Sequence, residues 1–351
     1  MKIAIITGSN GLVGSEAVKF FHGKGFKIIG IDNDKRSYFF GKNASTSKIG
    51  LELKKKLKNF SLLKTDIRNY KSLEKIFKKY KSKVDCIIHT AAQPSHDWAI
   101  KEPETDFTIN ANGTLNLLEL VRKYSKKAKF IFVSTNKVYG DKPNKLPLIE
   151  KKSRFEISKK SRFSSGINEK MSIDNSTHSL FGVSKVSADL LVQEYGKNIG
   201  MSTVSFRLGC ITGPVHAGAE LHGFLSYLIK ANATKKKYKI YGYKGKQVRD
   251  NIDSRDLVKA FWEYYKSPKK GEVYNLGGGR KNSCSILEAI NKIEKISNIK
   301  MKYSFTKKNR TGDHIWYITN NKKFLRDYPN WKILISLEKI FLDIFKVYKK
   351  N

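Results

Sequence analysis

A glycine-rich segment near the start of the chain has the residue types that hold a phosphate group. Residues 7–14 read Thr-Gly-Ser-Asn-Gly-Leu-Val-Gly, between the apolar run Ile3–Ile6 and a helix predicted at Ser15–His22. Glycines between a strand and a helix let backbone N–H groups approach a pyrophosphate, although the spacing here differs by one residue from the usual dinucleotide fingerprint. The residues expected to contact a dinucleotide are Gly8, Asn10, Gly11, Leu12 and Gly14.

An acidic residue follows where such a site needs one. The second predicted strand, Lys27–Asp32, ends in a carboxylate. A carboxylate at this place accepts the hydroxyls of an adenosine ribose and repels the 2′-phosphate of NADP. The pattern therefore favours NAD, while Arg36 keeps NADP open as the alternative. A glycine turn with a surface aspartate is the plainer interpretation, which the strand–loop–helix context disfavours.

The elements that must position these residues alternate between short strands and helices. Strands are predicted at 3–6, 27–32, 61–66, 86–89, 130–133 and 203–206, and helices at 15–22, 72–80, 114–124 and 183–198. The strands are apolar on both faces, which is typical of a parallel sheet covered on both sides. With right-handed crossovers, the fold class is α/β, a doubly wound parallel Rossmann sheet.

Two domains are predicted. Residues 1–207 form the NAD-binding Rossmann domain, including a long polar and basic loop at 141–177 that is either functional or disordered. Residues 208–351 form mainly a smaller mixed α/β substrate-binding lobe, with 248–274 returning to the first domain. Helices in this part are predicted near 223–231, 255–265, 285–296 and 337–346.

The chain is strongly basic. It has 69 Lys and Arg against 31 Asp and Glu, a formal charge of +38, but the lysines form short dispersed runs such as Lys54–Lys56 and Lys235–Lys237. A dispersed pattern is typical of a solvated surface rather than of a nucleic-acid patch. The three cysteines have no metal-binding spacing, and no apolar run approaches the ~20 residues of a membrane span. We expect a protein of the reducing cytoplasm with no metal site and no membrane partner.

Several segments together resemble the extended short-chain dehydrogenase/reductase family. They are the glycine loop, Asp66-Ile67, His89-Thr90-Ala91-Ala92-Gln93, Asn110-Ala111-Asn112-Gly113-Thr114, Ser134-Thr135 before Val138-Tyr139-Gly140, and Lys185. The resemblance covers nearly the whole chain in the family's order. It implies a second group of NAD contacts, comprising Asp66, Ile67, Ala91, Ala92, Gln93, Asn110 and Lys185. It also implies that Asp66 and Ile67 flank the adenine, that Lys185 bonds the nicotinamide ribose, and that Thr135 binds the sugar hydroxyl being oxidised.

A narrower resemblance is to the CDP-paratose (CDP-tyvelose) 2-epimerases of that family. It rests on the segments 134–141, 245–250 and 275–279, and on the long loop before His178-Ser179. The family's 4,6-dehydratases carry an Asp-Glu pair after the catalytic threonine, where this chain has Asn136-Lys137. The resemblance thus implies an isomerase of nucleotide sugars, with a CDP-hexose as substrate, rather than a dehydratase.

The implied reaction lacks its usual base. C2 of the hexose, which carries a hydroxyl, is oxidised transiently by hydride transfer and is then reduced again on its other face. A group of the protein must therefore accept the hydroxyl proton. In relatives a tyrosine four residues before the lysine does so, but this chain has Phe181, whose ring carries no proton. The candidate replacements are Tyr139, His178, Lys185 and Lys137. Binding without turnover, a different catalysed step or a decayed site are the alternatives, although the intact Thr135 and Lys185 argue against decay.

The resemblance also predicts substrate contacts. Arg249 is expected on the diphosphate, where a guanidinium fork suits paired phosphate oxygens, and Arg310 is expected as a second such contact. Asn136 and Ser95 are expected near the sugar, and His96, Asp97 and Trp98 either border the sugar or lie in a solvated loop. The segments 210–214 and 219–224 are expected to line the nucleotide pocket.

Two other functions stay open at this point. One is 4-epimerisation of another nucleotide sugar. The other is a non-catalytic member that binds NAD or RNA, with the lysine-rich segment Lys151–Arg162 as the RNA contact. The resemblance further implies homo-oligomers packed through helices.

Overall fold

The computed structural model describes residues 1–215, 223–307, 309–310 and 312–349. The strands, in chain order, are β1 Ile3–Thr7, β2 Lys27–Ile31, β3 Phe60–Leu63, β4 Val84–His89, β5 Lys129–Thr135, β6 Leu148–Glu150, β7 Phe155–Ile157, β8 Thr203–Leu208, β9 Cys210–Thr212, β10 Tyr238–Tyr241, β11 Val248–Asp253, β12 Glu272–Leu276, β13 Ser283–Ser285, β14 Tyr303–Thr306 and β15 Trp316–Tyr317.

The α-helices, in chain order, are α1 Leu12–Gly23, α2 Lys35–Phe40, α3 Ser47–Lys56, α4 Tyr70–Tyr80, α5 His96–Lys101, α6 Pro103–Phe107, α7 Gly113–Tyr124, α8 Leu180–Lys197, α9 Phe224–Ala233, α10 Ser254–Lys266, α11 Ile286–Ser297, α12 Lys322–Asp327 and α13 Leu337–Lys349. Among the described residues no helix is both long enough and apolar enough to cross a bilayer.

The described residues form two compact units. The first comprises residues 1–138, 180–207 and 257–274, and the second comprises the described residues within 139–179, 208–256 and 275–351. The predicted domain division stays a prediction, but the grouping differs from it at two places. Residues 139–179 belong to the second unit, and within 248–274 only residues from 257 onward belong to the first.

The first unit contains a seven-stranded sheet in the order β12-β8-β5-β4-β1-β2-β3. Strand β1 pairs in parallel with β2 on one side and with β4 on the other, and all five of its residues are buried. The strand order reverses between β1 and β4, which is the point where open parallel sheets bind their ligands. The predicted doubly wound parallel Rossmann sheet is confirmed.

Helices cover this sheet because their apolar residues recur at helical spacing. On α1, Val13, Ala17 and Phe21 are spaced four residues apart and are buried. These three side chains form the face of α1 that packs against the apolar strands β1 and β2. The core of this unit includes Ile5, Ile29, Ile87 and further buried side chains of the helices.

Between α6 and α7 the helix widens into a π-helical turn, Thr108–Asn112. A π-helical turn is rare, and it is found frequently at functional sites. Here it carries Asn110, one of the predicted cofactor contacts.

The second unit combines small sheets with helices. Strand β11 pairs with β13 in antiparallel and with β9 and β15 in parallel, while β10 pairs in parallel with β14. Its apolar core gathers buried residues of α9, α11 and α13 around β10, including Leu228, Ile290 and Ile340. The predicted mixed α/β character of the smaller lobe is confirmed.

The predicted long loop at 141–177 is not structureless. Strands β6 and β7 form an antiparallel hairpin with the register Leu148↔Ile157. The Phe155 N–H donates to the carbonyl of Lys246, and the Trp316 indole donates to Glu156. Tertiary contacts therefore order this segment although its sequence lacks periodicity.

Candidate active site

The glycine loop has the close approaches that exclude side chains. Gly8 has φ +66°, and a Cβ there would lie 2.8 Å from the Ala91 nitrogen. A Cβ on Gly14 would lie 2.0 Å from the carbonyl oxygen of Gly8, where no side chain fits. The N–H of Gly11 donates to the Gly8 oxygen at 3.0 Å, and α1 begins at Leu12 without a side-chain cap. The loop thus forms a tight backbone cradle at a helix N-terminus, as a pyrophosphate requires.

Asp32 lies just after β2 with its carboxylate held by backbone donors. The N–H of Asn10 donates to Oδ2 at 2.9 Å, and that of Asp34 donates to Oδ1 at 2.8 Å. Burial raises the pKa of Asp32, and these two hydrogen bonds oppose that shift. Each carboxylate oxygen has a further lone pair, so two ribose hydroxyls can still be accepted.

The Asn10 side chain of the glycine loop packs against α3. It is buried, and a Cβ on Gly50 of α3 would lie 2.3 Å from its Oδ1. Arg36, the residue that kept NADP open, places its guanidinium 4.9 Å from the centre of the Phe40 ring.

The predicted adenine contacts follow β3. Asp66 is fixed by Arg68, whose Nε and Nη2 donate to the two carboxylate oxygens at 3.1 and 2.8 Å. Burial opposes ionisation of Asp66, but these bonds outweigh it and lower the pKa of the carboxyl. Ile67 is buried, and a Cβ on Gly113 would lie 2.6 Å from its Cδ1.

A hydrogen-bond chain that the sequence did not reveal runs beneath the cofactor-lining segment. His89 Nδ1 lies 2.7 Å from Thr7 Oγ1, and its Nε2 lies 2.9 Å from Thr114 Oγ1. Since Thr114 donates to the Asn110 carbonyl, its oxygen accepts from Nε2–H, and Thr7 donates to Nδ1. Burial, with a smaller effect of Lys185, lowers the pKa of His89 to about 3, so the imidazole is neutral. Thr7 Oγ1 also accepts from the N–H of Ala91 at 3.3 Å.

Gln93 and Asn110 form one buried polar cluster. The Gln93 N–H donates to Asn110 Oδ1 at 2.9 Å, and Asn110 Nδ2 donates to Ser184 Oγ at 3.0 Å. Gln93 Nε2 donates to the buried Asp106 at 2.7 Å, and burial raises the pKa of that carboxyl. The cluster connects the loop after β4, the π-turn and α8. Ala92 is half-buried in that same loop.

Lys185 is buried within the first unit. Its Nζ donates to the Val133 carbonyl at 2.9 Å and lies 4.2 Å from the centre of the Phe132 ring. Burial lowers the pKa of Lys185 to about 8, although Asp189 and Asp106 oppose the shift. Both contacts are on β5, so the amine is fixed to the strand that ends at Thr135.

Thr135 is half-buried at the end of β5. Its Oγ1 lies 3.4 Å from Asn136 Oδ1 and accepts from the N–H of Lys137 at 3.3 Å. Ser134, the residue before it, donates to Asp189 of α8. Asp189 in turn forms a buried ion pair with Arg207 of β8 at 2.8 Å. This buried group fixes the strand end that presents the threonine.

Phe181 lies one helical turn before Lys185 and is 7% exposed. The His96 ring contacts it, with centroids 4.9 Å apart and planes at 68°. His96 is half-buried and begins α5. Ser95 caps that helix by accepting from the Trp98 N–H at 3.4 Å.

Tyr139 and His178 belong to the second unit. The Tyr139 side chain is completely buried, and its hydroxyl donates to Asn275 Oδ1 at 2.7 Å. This buried bond argues against Tyr139 as an exchangeable proton acceptor. His178 is half-buried, and its Nδ1 donates to the Ser176 carbonyl at 3.1 Å.

The two predicted phosphate contacts line one pocket of the second unit. Arg249 forms an ion pair with Asp313, and Arg310 lies 4.7 Å from the centre of the Tyr241 ring. The pocket is lined by Phe224, Tyr238, Ile240, Tyr241, Gln247, Arg249, Ile286, Arg310 and Asp313. Of the predicted 219–224 lining, residues 219–222 lie outside the described residues. Two arginines beside aromatic and apolar side chains fit a phosphorylated, partly apolar ligand.

A sequence model of the NAD-dependent epimerase/dehydratase family matches residues 4–277. The chain belongs to this family. It is 32% identical to the CDP-paratose 2-epimerase of Salmonella typhi over 307 residues, which cover 86% of each protein. It is 26% identical to the UDP-glucuronate 4-epimerase of Thermodesulfobacterium geofontis, over 95% of this chain and 92% of the relative.

Solved structures share the fold. One is a Tyr-to-Phe variant of UDP-glucuronic acid 4-epimerase from Bacillus cereus, in complex with UDP-4-deoxy-4-fluoro-glucuronic acid and NAD. It aligns with a TM-score of 0.78 and 23% identity, over 99% of both chains. The predicted family and NAD cofactor are thereby confirmed. The residues of this chain fit NAD, because Gly8 and Gly14 leave no room for a Cβ in the cradle and the Asp32 carboxylate keeps free acceptor positions.

Proposed function

We propose that the protein is an NAD-dependent nucleotide-sugar epimerase that inverts C2 of a CDP-linked deoxyhexose. The observation that carries the proposal is the turn after β5, where Thr135 is followed by Asn136 and Lys137 with no carboxylate. Expulsion of water needs an acid at this place, whereas epimerisation does not. The 32% identity with a CDP-paratose 2-epimerase favours C2 and a CDP-sugar.

The chain's own residues divide the task. The glycine cradle and Asp32 hold the dinucleotide, and when bound NAD supplies an acceptor that takes a hydride and returns it. Thr135 orients the reacting sugar hydroxyl. Lys185 bonds the nicotinamide ribose, and Arg249 and Arg310 bind the diphosphate. Orientation by such fixed groups lowers the barrier because the reacting atoms need no further ordering.

The test is a substrate panel with the purified holoenzyme. CDP-paratose carrying deuterium at C2 is expected to give the C2-inverted sugar with the label retained at C2, measured by NMR. Retention follows because the hydride leaves and returns within one active site. Loss of the label to water would exclude hydride return, and no turnover of any CDP-, UDP-, GDP- or dTDP-sugar would refute the proposal.

A 4-epimerase is the second candidate function. The 26% identity with a UDP-glucuronate 4-epimerase over 95% of this chain favours it. The same panel separates the two candidates, because the inverted carbon of each product is read directly. Inversion at C4 of a UDP-sugar with no reaction of CDP-paratose would favour the second.

A non-catalytic RNA binder gains no support from the described residues. In the lysine-rich segment 151–162, Arg154 already pairs with Glu288 at 3.2 Å and bonds Ser283. Lys151, Lys152, Lys159 and Lys160 are exposed. We infer that this segment is a folded and solvated part of the second unit.

A further inference from the structure

Phe181 lies at the position where relatives have the tyrosine that accepts the proton, but its ring cannot accept one. It lies four residues before Lys185 on α8, so both side chains project from one face of the helix, and both are buried. The Lys185 amine is fixed by the Val133 carbonyl two residues before Thr135. The space around the Phe181 ring is therefore where a proton acceptor for the Thr135-bound hydroxyl is needed.

The imidazole of His96 packs directly against the Phe181 ring. The His96 and Phe181 centroids are 4.9 Å apart in an edge-to-face arrangement. His96 is half-buried, so part of its side chain is still accessible to solvent. Imidazole is also the side chain that exchanges a proton most readily near neutral pH.

Three other titratable side chains of the first unit already have fixed hydrogen bonds. Lys185 donates its amine to a backbone carbonyl, and His89 is bonded to a threonine at each ring nitrogen. Asp106 accepts from Gln93 and Asn110 in the buried cluster.

We propose that His96 is the catalytic group that accepts and returns the proton of the reacting sugar hydroxyl. The assignment rests on the epimerase function proposed above and names the residue that handles its proton. As the C–H hydride leaves, the O–H bond breaks, its electron pair forms the carbonyl, and the proton moves to a ring nitrogen of His96. The same nitrogen gives the proton back to the oxygen when the hydride returns, so the imidazole ends unchanged.

The test compares His96→Gln with wild type on the CDP-sugar that the panel identifies. General acid–base groups contribute about 10²–10⁴-fold, so kcat is expected to fall at least about 100-fold. In the double variant His96→Gln/Phe181→Tyr, a phenol again lies one turn from Lys185, and at least about tenfold of the loss is expected to return. His22→Gln, the same exchange on α1, is the matched control. Equal NAD content and equal unfolding midpoints establish that the variants are folded.

Each result decides between the two proposals. An active wild type with a His96→Gln variant within about threefold of it overturns the role of His96 and leaves the epimerase standing. Loss without recovery in the double variant also overturns that role. A wild type inert on the whole panel overturns both proposals together.

Discussion

At the scale of single residues, the site combines an intact cofactor cradle with one changed side chain. Gly8, Gly14 and Asp32 have the geometry that their motif requires. Phe181 lacks the proton-carrying group that the family resemblance implies at its position, and the imidazole of His96 contacts its ring. We therefore propose that the change affects the route of one proton and leaves the cofactor cradle intact.

Gly14→Ala tests the cradle. A Cβ 2.0 Å from the Gly8 carbonyl forces the backbone apart, so we expect the free energy of unfolding to fall by about 1–3 kcal/mol and NAD binding to weaken. The control is Gly23→Ala at the end of the same helix, where a Cβ meets nothing within 4 Å. That change is expected to be neutral or to stabilise by about 0.5–1 kcal/mol. Urea unfolding and NAD titration measure both, and equal effects would contradict the prediction.

The burial of Lys185 predicts a pH dependence of stability. Its pKa of about 8 in the folded state lies below the ordinary 10.5, so between these pH values the unfolded chain holds a proton that the folded chain has lost. The free energy of unfolding contributed by this group therefore rises with pH, by about 3 kcal/mol in total. Lys185→Met removes the titration. Denaturant unfolding across that pH range gives the free energy of unfolding of both proteins, and their difference is expected to change by this amount. A difference that stays constant with pH would contradict the prediction.

At the scale of elements, a buried ion pair fixes the end of β5. Asp189 of α8 bonds Arg207 of β8 and accepts from Ser134, the neighbour of Thr135. Removing one partner leaves a buried charge without compensation. The position of Thr135 thus depends on a contact between β5 and the later elements α8 and β8, with Ser134 and Asp189 lying 55 positions apart in the chain.

Asp189→Asn is expected to lower the free energy of unfolding by about 3–5 kcal/mol. Asp189→Leu/Arg207→Met, which removes both charges, is expected to recover most of the loss. Lys19→Ala breaks the exposed Lys19–Glu16 pair of α1 and serves as control, with a change within about 1 kcal/mol. Equal losses in the Asp189 and Lys19 variants, from urea unfolding, would refute a structural role of the buried pair.

Sequence patterns predicted the elements whose signals are local. The apolar run of β1, the glycine loop and the acid after β2 are contiguous, and all lie where expected. Helices α2 and α3 and the β6–β7 hairpin were missed because elements of three to ten residues show too little periodicity and are specified by tertiary contacts, such as that of Phe155 with Lys246. The chain through His89 joins residues 82 and 25 positions apart in sequence, and no local pattern encodes it.

At the scale of the whole molecule, α8 carries an apolar stripe on its outer side. Val183 and Leu190, seven residues apart, are 44% and 42% exposed, and Leu115 of α7 is 36% exposed. Exposed apolar residues at helical spacing are typical of an interface. We propose that a second copy of this chain covers the stripe, in the homo-oligomer that the resemblance implied.

Leu190→Glu is expected to shift the protein toward monomer, because a charge in an apolar interface loses its water without gaining a partner. Light scattering after size-exclusion chromatography measures the mass of each species. Leu51→Glu introduces the same change at a 58%-exposed position of α3 and is expected to leave the mass unchanged. A wild type that is already monomeric would contradict the interface.

The neutral His89 has a consequence for the response of the molecule to acid. The pKa of His89 is about 3 in the folded state and 6.5 ordinarily. Between these pH values His89 is therefore protonated in the unfolded chain and neutral in the folded chain. Between these pH values the contribution of His89 to the free energy of unfolding falls by about 1.4 kcal/mol for each unit by which the pH is lowered. His89 joins β1, β4 and α7 at the point where the strand order reverses. We therefore expect acidification to destabilise the fold around the proposed dinucleotide site, so that the cofactor is lost as the chain unfolds.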